Sequence, residues 1–113
     1  MERVLQVGDQ AIPLRATAGT LVRYKLAFGR DAMGDLMRMA QSGGTDDFSG
    51  LDFDVFYRFL WVFAKTANPD LLPLPAWLDG IDMPPLDFVK LAFPAVQELL
   101  MANIKTTKTA KKK

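Results

Sequence analysis

The sequence predicts an α+β domain that is predominantly α-helical: an N-terminal β-hairpin packed on about four or five helices, with a disordered lysine-rich tail at the end. Three observations lead there. Two short β-prone runs flank Gly8-Asp9-Gln10, the signature of a hairpin. From Leu21 onward, apolar residues recur every three or four positions in successive blocks, as they do on one face of a helix. Half of the 113 residues are hydrophobic, enough for a single domain to bury a core. The domain is placed at residues 1–104 and the tail at 105–113.

In "RVLQVGDQAIPL" the alternation is poor, and an extended N-terminus is the competing reading, but Pro13 fits a second strand at a sheet edge. Thr17 is placed as the N-cap of the first helix, since its hydroxyl can accept an amide of the following turn. Leu21, Tyr24 and Phe28 follow at helical spacing, and Gly29 stands where a left-handed residue would end the helix. Asp31 suits the positive end of a second helix with a stripe of Met33, Leu36, Met37 and Ala40. The polar "SGGTDDFSG" ends it.

Leu51 to Ala67 is apolar nearly all round, with Phe53, Phe56, Leu60 and Phe63 on one face and Val55, Phe59 and Val62 on another. Such a helix belongs at the centre. Tyr57 and Trp61 need hydrogen-bond partners if buried, or they mark an interface. Pro69, Pro73 and Pro75 break the pattern. "AWLDGIDMPP" allows one short helical turn anchored by Trp77. A last helix follows Pro85, with Phe88, Val89, Ala92, Phe93, Val96, Leu99 and Leu100 inward and Pro94 expected to kink or split it. Leu21, Tyr24, Phe28, Phe56, Leu60 and Phe63 are the expected core.

There is no histidine and no cysteine. That removes Ser-His-Asp and Cys-His catalysis, histidine-metal sites, cysteine zinc sites and disulfides. No cofactor is expected. The acidic pairs Asp46/Asp47, Asp52/Asp54 and Asp79/Asp82 lack the twelve-residue pattern of a calcium loop, and helix caps and turns account for them. "TAGT" and "SGGT" match no phosphate-binding loop. The longest apolar run, Phe59 to Ala64, is far short of the roughly 20 residues that span a bilayer, and no signal-like segment opens the chain. A soluble, unexported protein is expected.

The net charge of +1 conceals an asymmetry: residues 1–104 carry nine basic and thirteen acidic side chains, while five lysines and no acid occupy the last nine positions. The tail could contact nucleic acid or an anionic surface, or simply be solvated. Six methionines and eight phenylalanines fit either a core or an adaptable binding groove.

"ATAGTLVRYKLAFGRDAMGDL", then "DVFYRFLWVFAKTANPDL", "WLDGIDM", "FPAVQELL" and a lysine-rich end resemble, in that order, the tail assembly chaperones of long-tailed bacteriophages and prophages. The most distinctive part is "TAGT", "RY" and "FGRD". The resemblance implies a non-enzymatic helical protein of the host cytoplasm, absent from the mature virion. It would bind the aggregation-prone tape measure protein, help recruit tail tube protein, and in some cases self-associate. The family commonly makes a longer product by ribosomal frameshifting, and the codons of "TAKKK" permit a slippery sequence. Candidate partner-binding residues are Arg23, Tyr24, Arg30 and Asp31 from the motif, with Tyr57, Trp61 and Trp77 as amphipathic aromatics. A small helical nucleic-acid-binding regulator using the basic tail is the alternative; no membrane partner is expected.

Overall fold

Strands β1 (Glu2–Val7) and β2 (Gln10–Arg15) form an antiparallel hairpin in which Val7 pairs with Gln10 and Glu2 with Arg15. Two residues, Gly8 and Asp9, make the turn, and Gly8 takes the left-handed φ of 59° that glycine adopts without steric cost. Leu5, Ile12 and Leu14 face inward and are buried, whereas Val4, Ala11 and Pro13 face out. Five helices follow: α1 (Thr20–Phe28), α2 (Ala32–Ser42), α3 (Phe53–Ala67), α4 (Leu74–Asp79) and α5 (Pro85–Lys112). The computed structural model describes the backbone of residues 1–42 and 52–112, and the side chains of residues 1–39 and 52–101. "SGGTDDFSG", with Asp46 and Asp47, falls almost wholly outside that range, and the expected tail over 105–113 lies beyond the described side chains.

Helix α3 is the central element. It packs against β2 and against all four other helices, while α5 also backs β1. Val55, Phe56, Phe59, Leu60, Val62, Phe63 and Ala64 are buried along it. Each large side chain so buried contributes about 2 to 3 kcal/mol through removal of apolar surface from water. Its start is set by Asp52, whose carboxylate accepts the Val55 N–H at 3.2 Å, so the helix begins at Phe53 and not at Leu51.

The inward face of α5 carries the seven residues expected of it, all buried. Pro94 does not split the helix. It lies on the exposed face with Lys90 and Leu91, where water can satisfy the carbonyl that its missing N–H leaves free.

Two expectations need correction. Thr17 is not the helix cap. Its hydroxyl accepts the Gly19 N–H (3.1 Å) and its own N–H donates to the Thr20 hydroxyl (2.9 Å), which fixes the turn before α1, while Gly19 is the cap. The stripe on α2 is out of phase. Ala32, Asp35, Leu36 and Met39 face inward, and Met33 and Met37 are exposed, 51% each. The true i, i+3, i+4, i+7 series passes through a carboxylate, which an apolar pattern skips. Tyr24, Phe56, Leu60 and Phe63 are fully buried as expected, and Leu21 and Phe28 are partly buried against the core. Among the described residues no helix is long and apolar enough to cross a membrane.

Gly29 ends α1 at φ 66° with its N–H donated to Lys25 O at 2.7 Å, and a Cβ built there meets nothing within 4 Å. The cost of Gly29→Ala is therefore backbone strain alone, about 1 kcal/mol. Urea unfolding should show a lower midpoint with an unchanged slope.

Candidate partner-binding groove

Residues Asp54, Tyr57, Trp61 and Lys65 are spaced three and four apart on α3 and so stand in one row, roughly 16 Å long at 1.5 Å per residue. This row floors a trench between α1 and the segment Pro73–Leu78. One hollow of about 580 Å³ is lined by Phe28, Tyr57, Trp61, Pro73, Leu74 and Leu78, among others. A second, of about 250 Å³, lies between Arg23, Leu26, Val62 and Lys65. Ala27 and Trp61 belong to both, so the two are continuous. Arg23 lies at the Lys65 end and Phe28 at the Tyr57 end, so α1 runs opposite to α3.

The indole of Trp61 is held from three sides. Its Nε1–H donates to Leu72 O at 2.9 Å, Phe28 meets it edge-on with centroids 5.5 Å apart, and the Lys65 ammonium lies 5.8 Å from its ring centre. Lys65 also donates to Pro69 O (2.6 Å) and Leu71 O (3.2 Å), tying down the proline-rich segment that forms the far wall. Tyr57 is half-buried, and burial pushes its hydroxyl pKa up. It continues into a third hollow of about 370 Å³ with Ile81, Met83 and Phe88. Beyond Leu26, on the other side, a hollow of about 460 Å³ runs past Val22 and Met33. Leu26 is 80% exposed and Val22 60%.

The near wall is positioned by a buried carboxylate that the sequence reading missed. Asp35, 2% exposed, accepts the Tyr24 hydroxyl at 2.6 Å and both arms of Arg30, Nε at 2.8 Å and Nη2 at 3.0 Å. Arg38 and Arg58 each approach it to 3.6 Å. The Arg30 hydrogen bonds, with help from Tyr24 and against the opposing effect of burial, bring the Asp35 pKa from 3.8 down to about 2. Burial first, then the bond to Asp35, pushes the Tyr24 hydroxyl up to about 12. The same pairing raises the Arg30 pKa.

Of the seven candidate residues, Arg23, Tyr57 and Trp61 line the trench. Asp31 lines the hollow beside it and its carbonyl accepts the Asp35 N–H at the start of α2. Tyr24 and Trp77 cannot present themselves to a partner. Tyr24 is fully buried, stacked 4.3 Å from Phe59, and Trp77 is buried on the inward side of α4. Arg30 is committed to Asp35, five residues along, and not to Asp31. Leu26, Phe28 and Leu74 complete the trench and were not singled out for binding: Phe28 read as core at helical spacing, while Leu26 and Leu74 stood outside any periodic series. Among the described residues, which exclude Asp46 and Asp47, no three His, Cys, Asp or Glu side chains could share a metal ion.

Comparison with family models, curated proteins and solved structures gives no match.

The low pKa of Asp35 makes the fold acid-sensitive in a defined window. Its folded-state value lies below the ordinary 3.8, so its stabilisation is complete above about pH 4 and is lost as pH falls toward 2, a difference of about 2 kcal/mol. Chemical denaturation across that range should show the decline. Asp35→Asn should lower stability at pH 7 by roughly 2 kcal/mol and flatten the acid limb.

Proposed function

We propose that this protein is a tail assembly chaperone of a long-tailed bacteriophage or prophage, which binds the tape measure protein in the host cytoplasm, keeps it soluble and assists tail tube assembly. The sequence resemblance supplies the identity of the client. The observation that carries the reading is the trench: a row of half-buried aromatics on the central helix, walled by apolar side chains and continued by the exposed Val22, Leu26 and Met33.

Such a surface suits an amphipathic client segment laid into a groove, with Tyr57 and Trp61 as the amphipathic anchors that carry most of the energy at protein interfaces. Contiguous apolar surface of this kind marks interaction sites. The protein acts by binding and performs no reaction. Contact with tail tube protein, self-association and a longer frameshifted product belong to the same proposal. The regulator alternative depends on the tail lysines, whose side chains lie outside the described residues.

Co-expression with the tape measure protein of the same phage tests this. The wild-type chain should keep it soluble and copurify in a complex that resists high salt, since apolar burial does not weaken with ionic strength as phosphate binding does. Tyr57→Ala, which removes a trench side chain that fastens neither wall, should weaken the complex by about tenfold or more while leaving the circular dichroism spectrum unchanged. An undiminished complex would remove the trench as the binding site. Recovery of salt-released nucleic acid in place of the complex would favour the regulator.

A further inference from the structure

The trench is not electrically even. At the end where α1 starts and α3 finishes, its apolar floor is rimmed by Arg23 and Lys65. Among the described residues the Arg23 side chain has no hydrogen-bond or ion-pair partner, and the Lys65 ammonium meets no carboxylate, donating to the carbonyls of Pro69 and Leu71 and lying over the Trp61 ring. The contrast with Arg30, Arg38 and Arg58 is direct, since all three are drawn to carboxylates. At the other end Asp54 and Arg58 line the same hollow with opposite signs. Positive charge therefore collects at one end of an apolar groove, on a body whose residues 1–104 are acidic on balance.

From this asymmetry we infer that the trench takes an amphipathic helical segment of a partner protein, its apolar face on Tyr57 and Trp61 and an acidic side chain set between Arg23 and Lys65. Helices wall and floor the groove, and a guest helix of about three turns matches the roughly 16 Å row on α3. A carboxylate at one end of that guest pairs with Arg23, whose planar fork can bind it through two parallel bonds. The charge pair fixes which way round the guest lies, because a reversed guest would put its acid beside Asp54 and an Arg58 already drawn to Asp35, and would leave Arg23 unpaired. The inference takes the partner's identity from the chaperone reading, and its chemistry from the groove alone.

The full-length chain should be titrated with two probe sets: overlapping fluorescent 15-residue peptides covering the tape measure protein, and a displayed library of amphipathic helical peptides with varied charge. Tight binders from both should carry Asp or Glu at one end of an apolar stripe, and replacing that acid with Gln should weaken binding about tenfold. Arg23→Glu should reproduce the loss with an unchanged thermal midpoint, since this side chain is exposed and makes no contact that the fold requires. A peptide with Lys in place of its acid should then prefer the Arg23→Glu protein. Library binders that obey these rules while no tape measure peptide binds would uphold the acidic-helix inference and overturn the chaperone reading. Tape measure peptides that bind regardless of charge would do the reverse. Displacement of bound peptide by an RNA oligonucleotide, lost in Arg23→Glu, would overturn the inference in favour of nucleic acid.

Discussion

The near wall of the trench depends on the buried carboxylate of Asp35. It sits on α2, yet its partners come from α1 (Tyr24), the α1–α2 turn (Arg30), α2 itself (Arg38) and α3 (Arg58). A charge in that position carries a desolvation cost of several kcal/mol unless it is paired and hydrogen-bonded. The two-armed contact from Arg30 and the short bond from Tyr24 offset that cost, but only in one arrangement of α1 and α2, and Arg58 ties the pair to α3. A carboxylate with partners on three helices thus determines how α1 leans on α3. Apolar packing alone would define that angle less sharply, because hydrophobic contacts have no direction.

That angle decides whether a trench exists. With Tyr24 drawn inward to Asp35 and Phe59, the opposite side of α1 is left facing out, and Leu26 and Ala27 become a wall rather than part of the core. The far wall is set independently. The three prolines after α3 prevent helical continuation, and Lys65 and the Trp61 indole bind the carbonyls of Pro69, Leu71 and Leu72, which hold the segment alongside α3. Trp61 thereby serves both as floor and as fastening. Its polar edge is satisfied inside the chain, leaving part of its apolar face toward the groove, the division of labour expected of an amphipathic aromatic.

How much of this could be read in the sequence depended on which force set each element. The hairpin, α3 and the inward face of α5 were legible because apolar periodicity and turn chemistry both point to them: Gly8 at the turn, seven buried residues on α3, and the Phe88-to-Leu100 series. The phase of α2 was not, since its buried face runs through Asp35, and a carboxylate counts against burial until its partners, five and eleven residues away or on another helix, are known. Tyr24 stood both among the expected core and, through the motif, among the partner candidates, and burial favours the first; Trp77 was a candidate as an amphipathic aromatic and is buried, and Leu26 went unremarked. Sequence spacing shows that a side chain is on a helix face, and only packing shows which face remains outside.

This bears on how the motif shared in the resemblance should be weighed. Within "RYKLAFGRD", Tyr24 and Arg30 serve the Asp35 cluster, Gly29 ends the helix, and the Asp31 carbonyl helps to open the next. These positions demand particular chemistry because a buried charge and a left-handed residue tolerate few substitutes. Arg23 and Leu26 lie within the same stretch but face outward, and nothing in the fold requires their identity. Arg23 apart, the most distinctive residues of that stretch are therefore chiefly those that build the wall. The residues proposed to meet a partner lie on its outer side and along the floor, and it is their charge and exposed apolar area, rather than the motif as a whole, from which the proposed selectivity is argued.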